Sequence, residues 1–160
     1  MEALYQNFFR NKNNSDPVLK ALENVPIFEN LSDKELKNIA QLTHEREYKS
    51  TEYVFKKHAP AEGMYVILEG SIEIKDPESE KIFAKLHSGD FFGELALLDE
   101  EPRSATAICT SPSRLIGFFR TDLLTLIKRY PELGNNILLN LSRVLGERLR
   151  ETNKIITNSK

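Results

Sequence analysis

Cysteine is nearly absent from this 160-residue chain. Cys109 stands alone, which excludes an internal disulfide and any cysteine-based zinc site. Long apolar runs are missing too: none approaches the ~18–20 residues of a membrane span. The start, MEALYQNFFRNKNN, has no basic stretch followed by an apolar one, so no secretory signal is expected there. A strong charge of either sign is lacking. Lys plus Arg number 22 against 24 Asp plus Glu, a net charge of −2 with pI ≈ 6.0, which argues against a whole-domain electrostatic grip on nucleic acid. The three histidines, His44, His58 and His87, fall in no H-x-H or H-E-x-x-H spacing, so a metal-bearing barrel enzyme is not expected. There is no G-x-S-x-G, and Cys109 sits in an apolar run, where a buried structural thiol is expected rather than a nucleophile. What is present is ordinary for a soluble domain: 40% apolar and 29% charged residues, at a length that fits one domain. The expectation is a cytoplasmic, single-domain protein without catalytic activity.

Residues 10–16 (RNKNNSD) read as a polar linker, and residues 1–16 as an N-terminal extension. In it Leu4, Tyr5, Phe8 and Phe9 have helical spacing. A helix is predicted over 17–24, with Asp16 as N-cap and Pro17 in its first turn. Another starts after Ser32, where Ser32 and Glu35 form a capping box and Leu36, Ile39, Ala40 and Leu42 supply an apolar face. From about 45 to 120 the period changes. Short runs rich in β-branched and aromatic residues recur at 53–55, 64–68, 71–74, 81–86, 105–110 and 115–119, with turns at E-G-S (69–71) and D-P-E-S (76–79). Helical patterns then return: Thr121 is read as the cap of a helix ending near Tyr130, and Pro131 opens a long helix toward about Thr157. The class predicted is α+β. An antiparallel β-roll or jelly-roll sandwich is flanked by N-terminal helices and a long C-terminal helix, with the domain spanning 17–157.

One stretch breaks the strand rhythm: S-G-D-F-F-G-E-L-A-L-L-D-E-E-P-R-S-A-T-A, residues 88–107. Gly93 lets backbone approach a ligand closely. The helical run after it, Glu94 to Leu98, is too short for an ordinary helix, and its start offers outward N–H groups to an anion. Arg103 can add a bidentate fork to phosphate oxygens. Pro102 restricts how the loop returns to the sheet. Glu94 would repel phosphate, so it suits a different group, and a sugar hydroxyl is the natural partner for a carboxylate. Phosphate beside hydroxyl means a nucleotide.

F-G-E-L-A-L-L-x-x-x-P-R-S-A-T-A resembles the phosphate-binding cassette of the cyclic nucleotide-binding domain family, found in cAMP receptors and protein kinase A regulatory subunits. P-I-F-x-x-L-S-x-x-E-L (26–36), M-Y-V-I-L-E-G (64–70) and Y-P-E-L (130–133) agree with it, so the resemblance covers roughly 18–155. It implies that Glu94 holds the ribose 2′-hydroxyl and Arg103 the cyclic phosphate. N–H groups around Leu95 and Ala96, and that of Ala105, would complete the cradle with Gly93. The residue Ser104 stands where the family varies: Thr is associated with cGMP and Ala with cAMP, and Ser occurs in cAMP-binding bacterial members. The ligand expected is therefore cAMP before cGMP. The family usually has Gly-Asp before M-Y at a strand-ending turn; this chain has His58-Ala59, which bears on the turn rather than on binding.

Other readings stand beside these. Arg103 could form a surface ion pair with Glu100 or Glu101. Phe91, Phe92, Phe118 and Phe119 are simplest as core; Val66, Ile82 or Leu86 could line the purine. In the last helix Leu138, Leu141, Leu145, Leu149 and Ile156 follow a 3–4 spacing, which suits packing on the β-domain, a dimer coiled coil of two or three heptads, or both. Arg148 and Thr152 lie on or near that seam, and one of them could reach the purine as a lid. Alternatively Arg148 covers apolar surface with its stem. Gly146 could mark a bend or a close helix approach, or nothing. Residues 114–160 hold nine Lys/Arg against four Asp/Glu, but no helix-turn-helix pattern follows, so DNA binding by this chain alone is not expected. The reading is a sensor that couples cyclic nucleotide to movement of the C-terminal helix. Its alternatives are a ligand-free interaction module of the same fold and a DNA-binding regulator without its second domain.

Overall fold

A computed structural model describes residues 16–159. The helical pattern expected at Leu4–Phe9 lies outside the described residues. Helix α1 (Pro17–Glu23) starts as its cap predicts, with the Asp16 carboxylate accepting the Val18 N–H at 2.9 Å. A 3-10 turn (Pro26–Phe28) follows, then α2 (Asp33–Ala40). The Ser32–Glu35 box closes α2 from both sides, with Ser32 N–H donating to Glu35 Oε2 at 2.8 Å and Glu35 N–H to Ser32 Oγ at 3.3 Å. Eight strands come next: β1 (His44–Tyr48), β2 (Tyr53–Phe55), β3 (Gly63–Glu69), β4 (Ser71–Lys75), β5 (Ile82–His87), β6 (Phe91–Phe92), β7 (Thr106–Cys109) and β8 (Ser113–Phe119). Helices α3 (Arg120–Arg129) and α4 (Pro131–Asn158) end the chain.

The strands form two four-stranded antiparallel sheets, ordered β1-β8-β3-β6 and β2-β7-β4-β5. Tyr65, Ile67, Ile72, Phe92, Ala107, Cys109 and Leu115 fill the space between them. The alternation along β3 and β8 then fixes a second core. Met64, Val66, Ile116 and Phe118 point from the other face of their sheet onto the helices, against Leu22, Ile27, Phe28, Ile39, Leu123, Ile137 and Leu141. Both strands are thus buried on two faces, which is why they read as near-continuous apolar runs. Burial raises the Cys109 thiol's pKa, as expected of a structural cysteine.

Four sequence expectations change. Val66, a candidate purine neighbour, shares parity with Met64 and is buried in the helix-side core. Thr121 is not the cap of α3: the helix starts at Arg120, and the Asp122 carboxylate accepts the Phe119 N–H at 3.0 Å. Among the described residues a Cβ at Gly146 would meet only the Arg150 guanidinium, at 3.5 Å, so none of the described helices approaches closely there. The seam of α4 divides. Leu141 is fully buried against its own domain, whereas Leu149 and Ile156 are 61% exposed. The helix is pinned by buried Asn140, which donates to the carbonyls of Ile27 (3.2 Å) and Glu29 (3.0 Å).

Candidate ligand site

Strand β6 ends in Gly93, whose backbone is left-handed (φ 78°, ψ 17°). That turn throws the chain into a single 3-10 helix, Glu94–Leu97, beside the open end of the roll. A cavity of about 640 Å3 lies there, within the size range of small-molecule sites. Its walls are Gly93–Ala96, Asp99 and Glu101–Ala105 from the cassette, Phe55 and Ala61 from the strands and loop before it, Ile74, Ala84 and Leu86 from the β4–β5 hairpin, Phe91 and Phe92 from β6, and Arg148 from α4. The lining is mostly apolar, with a few convergent polar groups, as ligand sites usually are.

Arg103 is the most constrained of these groups. The residue is only 7% exposed. Nη2 donates to the Gly63 carbonyl at 2.7 Å and Nη1 to the Gly93 carbonyl at 3.3 Å. The guanidinium carbon lies 4.0 Å from the centre of the Phe55 ring, a cation–π arrangement. Nε has no partner, and among the described residues no carboxylate is within ion-pair distance. Burial lowers its pKa from the usual guanidinium value, with Tyr65 and Glu62 acting the other way. The surface pairing with Glu100 or Glu101 is thereby excluded; Glu100 pairs instead with Arg120 at 3.2 Å.

The backbone around Arg103 is held as firmly. Its N–H donates to the Ala59 carbonyl at 2.9 Å, and its carbonyl accepts the His58 N–H at 2.8 Å. His58 occupies the turn at φ 69°, the left-handed region that favours glycine. The next turn supports it: Lys57 Nζ meets Asp76 at 2.9 Å and Glu78 at 3.1 Å, and His58 Nε2 meets Glu78 at 3.2 Å.

Glu94 is 5% exposed and paired with Arg148 of α4, whose guanidinium also lies 4.8 Å from the centre of the Phe91 ring. The cavity brings together Gly93, Glu94, Leu95, Ala96, Arg103, Ser104, Ala105, Leu86 and Arg148. It leaves out three candidates. Val66 faces the helices. Ile82, at the far end of β5, is 45% exposed. Thr152 spends its hydroxyl on the Arg148 carbonyl at 2.9 Å. The Ala96 N–H is also engaged, by the Gly93 carbonyl at 3.2 Å. Ile74, Ala84 and Phe55 were not singled out beforehand. The first two follow from cross-strand register, since Ile74 pairs with Ala84 two residues before Leu86; nothing in the sequence marked Phe55. No group of three or more His, Cys, Asp or Glu among the described residues could hold a metal, and no helix there is long and apolar enough to cross a membrane.

Residues 45–130, over half of the chain, match the sequence model of the cyclic nucleotide-binding domain. The chain belongs to this family. It is similar to the Cyclic AMP receptor protein of Thermus thermophilus, with 31% identity over 129 residues that cover 79% of this chain and 58% of that protein. It is also similar to the cAMP-dependent protein kinase regulatory subunit of Mycosarcoma maydis, with 39% identity over 89 residues, 54% of this chain and 17% of that one. The chain thus spans less than two thirds of either relative. Among solved structures, a cyclic nucleotide-binding domain from Methylobacillus flagellatus matches with a TM-score of 0.76 and 25% identity, covering 91% of this chain and 83% of that one. The antiparallel roll with a long C-terminal helix, expected from the strand pattern, is the architecture of this family.

Proposed function

We propose that this chain is a non-catalytic cytoplasmic sensor that binds a 3′,5′-cyclic nucleotide, cAMP in preference to cGMP, in the cavity beside the 3-10 helix. The observation that carries the reading is Arg103: a buried guanidinium with no carboxylate partner and a free Nε, at the wall of an apolar cavity. Burying an uncompensated charge is unfavourable, and an anionic ligand supplies the missing counter-charge. Arg103 takes the cyclic phosphate together with the N–H groups of Leu95 and Ala105. Glu94 takes the ribose 2′-hydroxyl, and the purine lies against Ile74, Ala84 and Leu86. Arg148 is the lid residue, and Ser104 favours cAMP.

Binding displaces Arg148 from Glu94, and the resulting shift of α4 is the output, read by a downstream partner. The exposed end of α4, with Leu149, Thr152 and Ile156 continuing the spacing of half-buried Leu145, pairs with a second copy of the chain. The relatives named for cyclic AMP support the ligand class.

Titration calorimetry with cAMP, cGMP and 5′-AMP tests the reading. The expected order of affinity is cAMP, cGMP, then 5′-AMP. Absence of heat with both cyclic nucleotides, from folded and ligand-free protein, sinks it in favour of a ligand-free interaction module. Sedimentation at rising concentration tests the pairing: a monomer at every concentration rejects the α4 dimer.

A further inference from the structure

Beside the apolar packing of Leu97 in the helix-side core, two arginines of the helices hold the cassette, and their contacts differ in kind. Arg148 of α4 grips the start of the 3-10 helix through the Glu94 carboxylate. Arg120, the first residue of α3, grips its end. The Arg120 Nη1 group donates to the carbonyls of Ala96 at 3.2 Å, Ala61 at 3.4 Å and Asp99, and Nη2 reaches the Glu100 carboxylate at 3.2 Å. Its backbone N–H donates to the Glu62 carbonyl at 2.9 Å. The side chain is only 20% exposed. Among the described residues no other side chain of α3 hydrogen-bonds the cassette.

Resting on the nucleotide reading above, we propose that Arg120 is the positioning residue through which the cassette turns α3 and α4, a pivot that stays closed while the Arg148–Glu94 contact opens. A sugar hydroxyl competes with Arg148 for the Glu94 carboxylate. It cannot compete for the acceptors of Arg120, which are mainly backbone carbonyls at the opposite end of the same short helix. Ligand at one end therefore loosens one grip and leaves the other intact. A displacement of the 3-10 helix is passed through Arg120 to the first turn of α3. From there it reaches α4 directly, because the two helices are tightly apposed: a Cβ at Gly134 would lie 2.6 Å from the Ile127 side chain. A pair of helices hinged where β8 ends, packed on Leu97 and tied by the hydrogen bonds of Arg120 to the end of the 3-10 helix, rotates about that end of the cassette.

The test uses the full chain carrying spin labels on Lys85→Cys of β5 and Asn153→Cys of α4, both exposed positions. Pulsed dipolar spectroscopy reads the distance between them, with and without saturating cAMP, and calorimetry reads affinity. The parent pair should bind cAMP and change distance. Arg120→Gln should still bind, no more than about tenfold weaker, since it loses no direct ligand contact, yet show no distance change at saturation. Arg120→Lys, which keeps the charge but reaches fewer acceptors, should bind normally and show a reduced change; it also covers the case in which Arg120→Gln does not fold. A purely structural role would lower the melting temperature but leave the change at saturation intact. A full distance change in either variant overturns the pivot, as does a parent protein that binds cAMP without any change. A parent protein that binds no cyclic nucleotide overturns the nucleotide reading, and the pivot with it; this shows before any variant is made.

Discussion

Replacing Arg103 by methionine should separate the cost of folding this side chain from its use. Arg103 is 7% exposed, and its guanidinium donates to two carbonyls, at 2.7 and 3.3 Å, with Nε unpartnered. Removing a buried guanidinium from water costs several kcal/mol after relaxation. Two bonds from a charged donor return about 1.5–3 kcal/mol each, the longer one less, and the Phe55 face contributes about 2 kcal/mol. These effects nearly cancel. Methionine keeps the apolar stem against the Phe55 ring, so nucleotide-free stability should change by no more than about 2 kcal/mol in either direction. The bound state has no such cancellation. Losing a bidentate pair to phosphate removes two charge-assisted bonds, about 3–6 kcal/mol, which is an affinity loss of about 100- to 10,000-fold. Urea unfolding gives the first quantity and calorimetry with cAMP the second. Added at about 100 times its dissociation constant, the ligand should stabilise the parent protein by about 2.7 kcal/mol and the variant hardly at all. A stability loss above about 3 kcal/mol with less than a tenfold change in affinity would refute the reasoning. It would make Arg103 a structural residue that ties Gly63 to Gly93.

Three further outcomes are expected. Gly93→Ala places a Cβ 2.8 Å from Arg103 Nη1 on a backbone at φ 78°. It should cost about 1–2 kcal/mol in urea unfolding and weaken cAMP binding by at least about tenfold, because it moves the guanidinium. His58→Gly relieves a left-handed residue at φ 69° and loses only exposed contacts, so unfolding should show a gain of about 0.5–1 kcal/mol after the entropy of the added glycine. Asp76 is held at a pKa of about 2, below its ordinary 3.8, chiefly by its hydrogen bond from Lys57 and then by Ser79. A depressed carboxylate stabilises the fold above its unfolded pKa and loses that effect as pH falls through its folded one. The stability gap between parent and Asp76→Asn should therefore be constant above about pH 5, narrow between about pH 5 and 1, and level off below; a gap independent of pH would contradict the Lys57 contact.

How much of the fold was readable depended on what each residue must bury. Capped helix starts at Asp16 and Ser32 were plain, because a side chain and a backbone N–H three or fewer residues apart decide them locally. Strands β3 and β8 were plain because both of their faces are covered. Strand β1, HEREY, was not marked as a run. It lies at a sheet edge with four exposed residues, and its place is set by pairing with β8 and by Arg114 reaching Glu45, a contact between residues 69 apart. Val66 was misplaced for the opposite reason. Its apolarity is obvious, but a strand buried on both sides gives no sign of which face meets the helices and which the interior of the roll. The α3 cap went to Thr121 because Ser and Thr are common caps, whereas the chain turns one residue earlier and uses the Asp122 carboxylate.

The chemistry of the cassette was legible because it is contiguous: Gly93, Glu94, Arg103 and Ala105 lie within thirteen residues and all face one cavity. What completes it comes from elsewhere in the chain and was legible only in part. The pair His58-Ala59, in place of the family's usual Gly-Asp, looked like a matter of turn geometry alone. The turn is in fact made, with His58 taking the strained backbone a glycine would take freely, and its two backbone groups still bracket Arg103. The consequence falls on charge. A methyl at Ala59 brings no carboxylate toward the guanidinium, and two of the acidic residues nearby are turned to other partners, Glu94 to Arg148 and Glu100 to Arg120. Arg103 therefore keeps no carboxylate within ion-pair distance among the described residues, with Glu62 acting on it only from farther off. A carboxylate restored by Ala59→Asp would compete for Arg103 in the empty site, raising nucleotide-free stability and weakening cAMP binding. If cAMP binding is unaffected, the anion does not answer that charge.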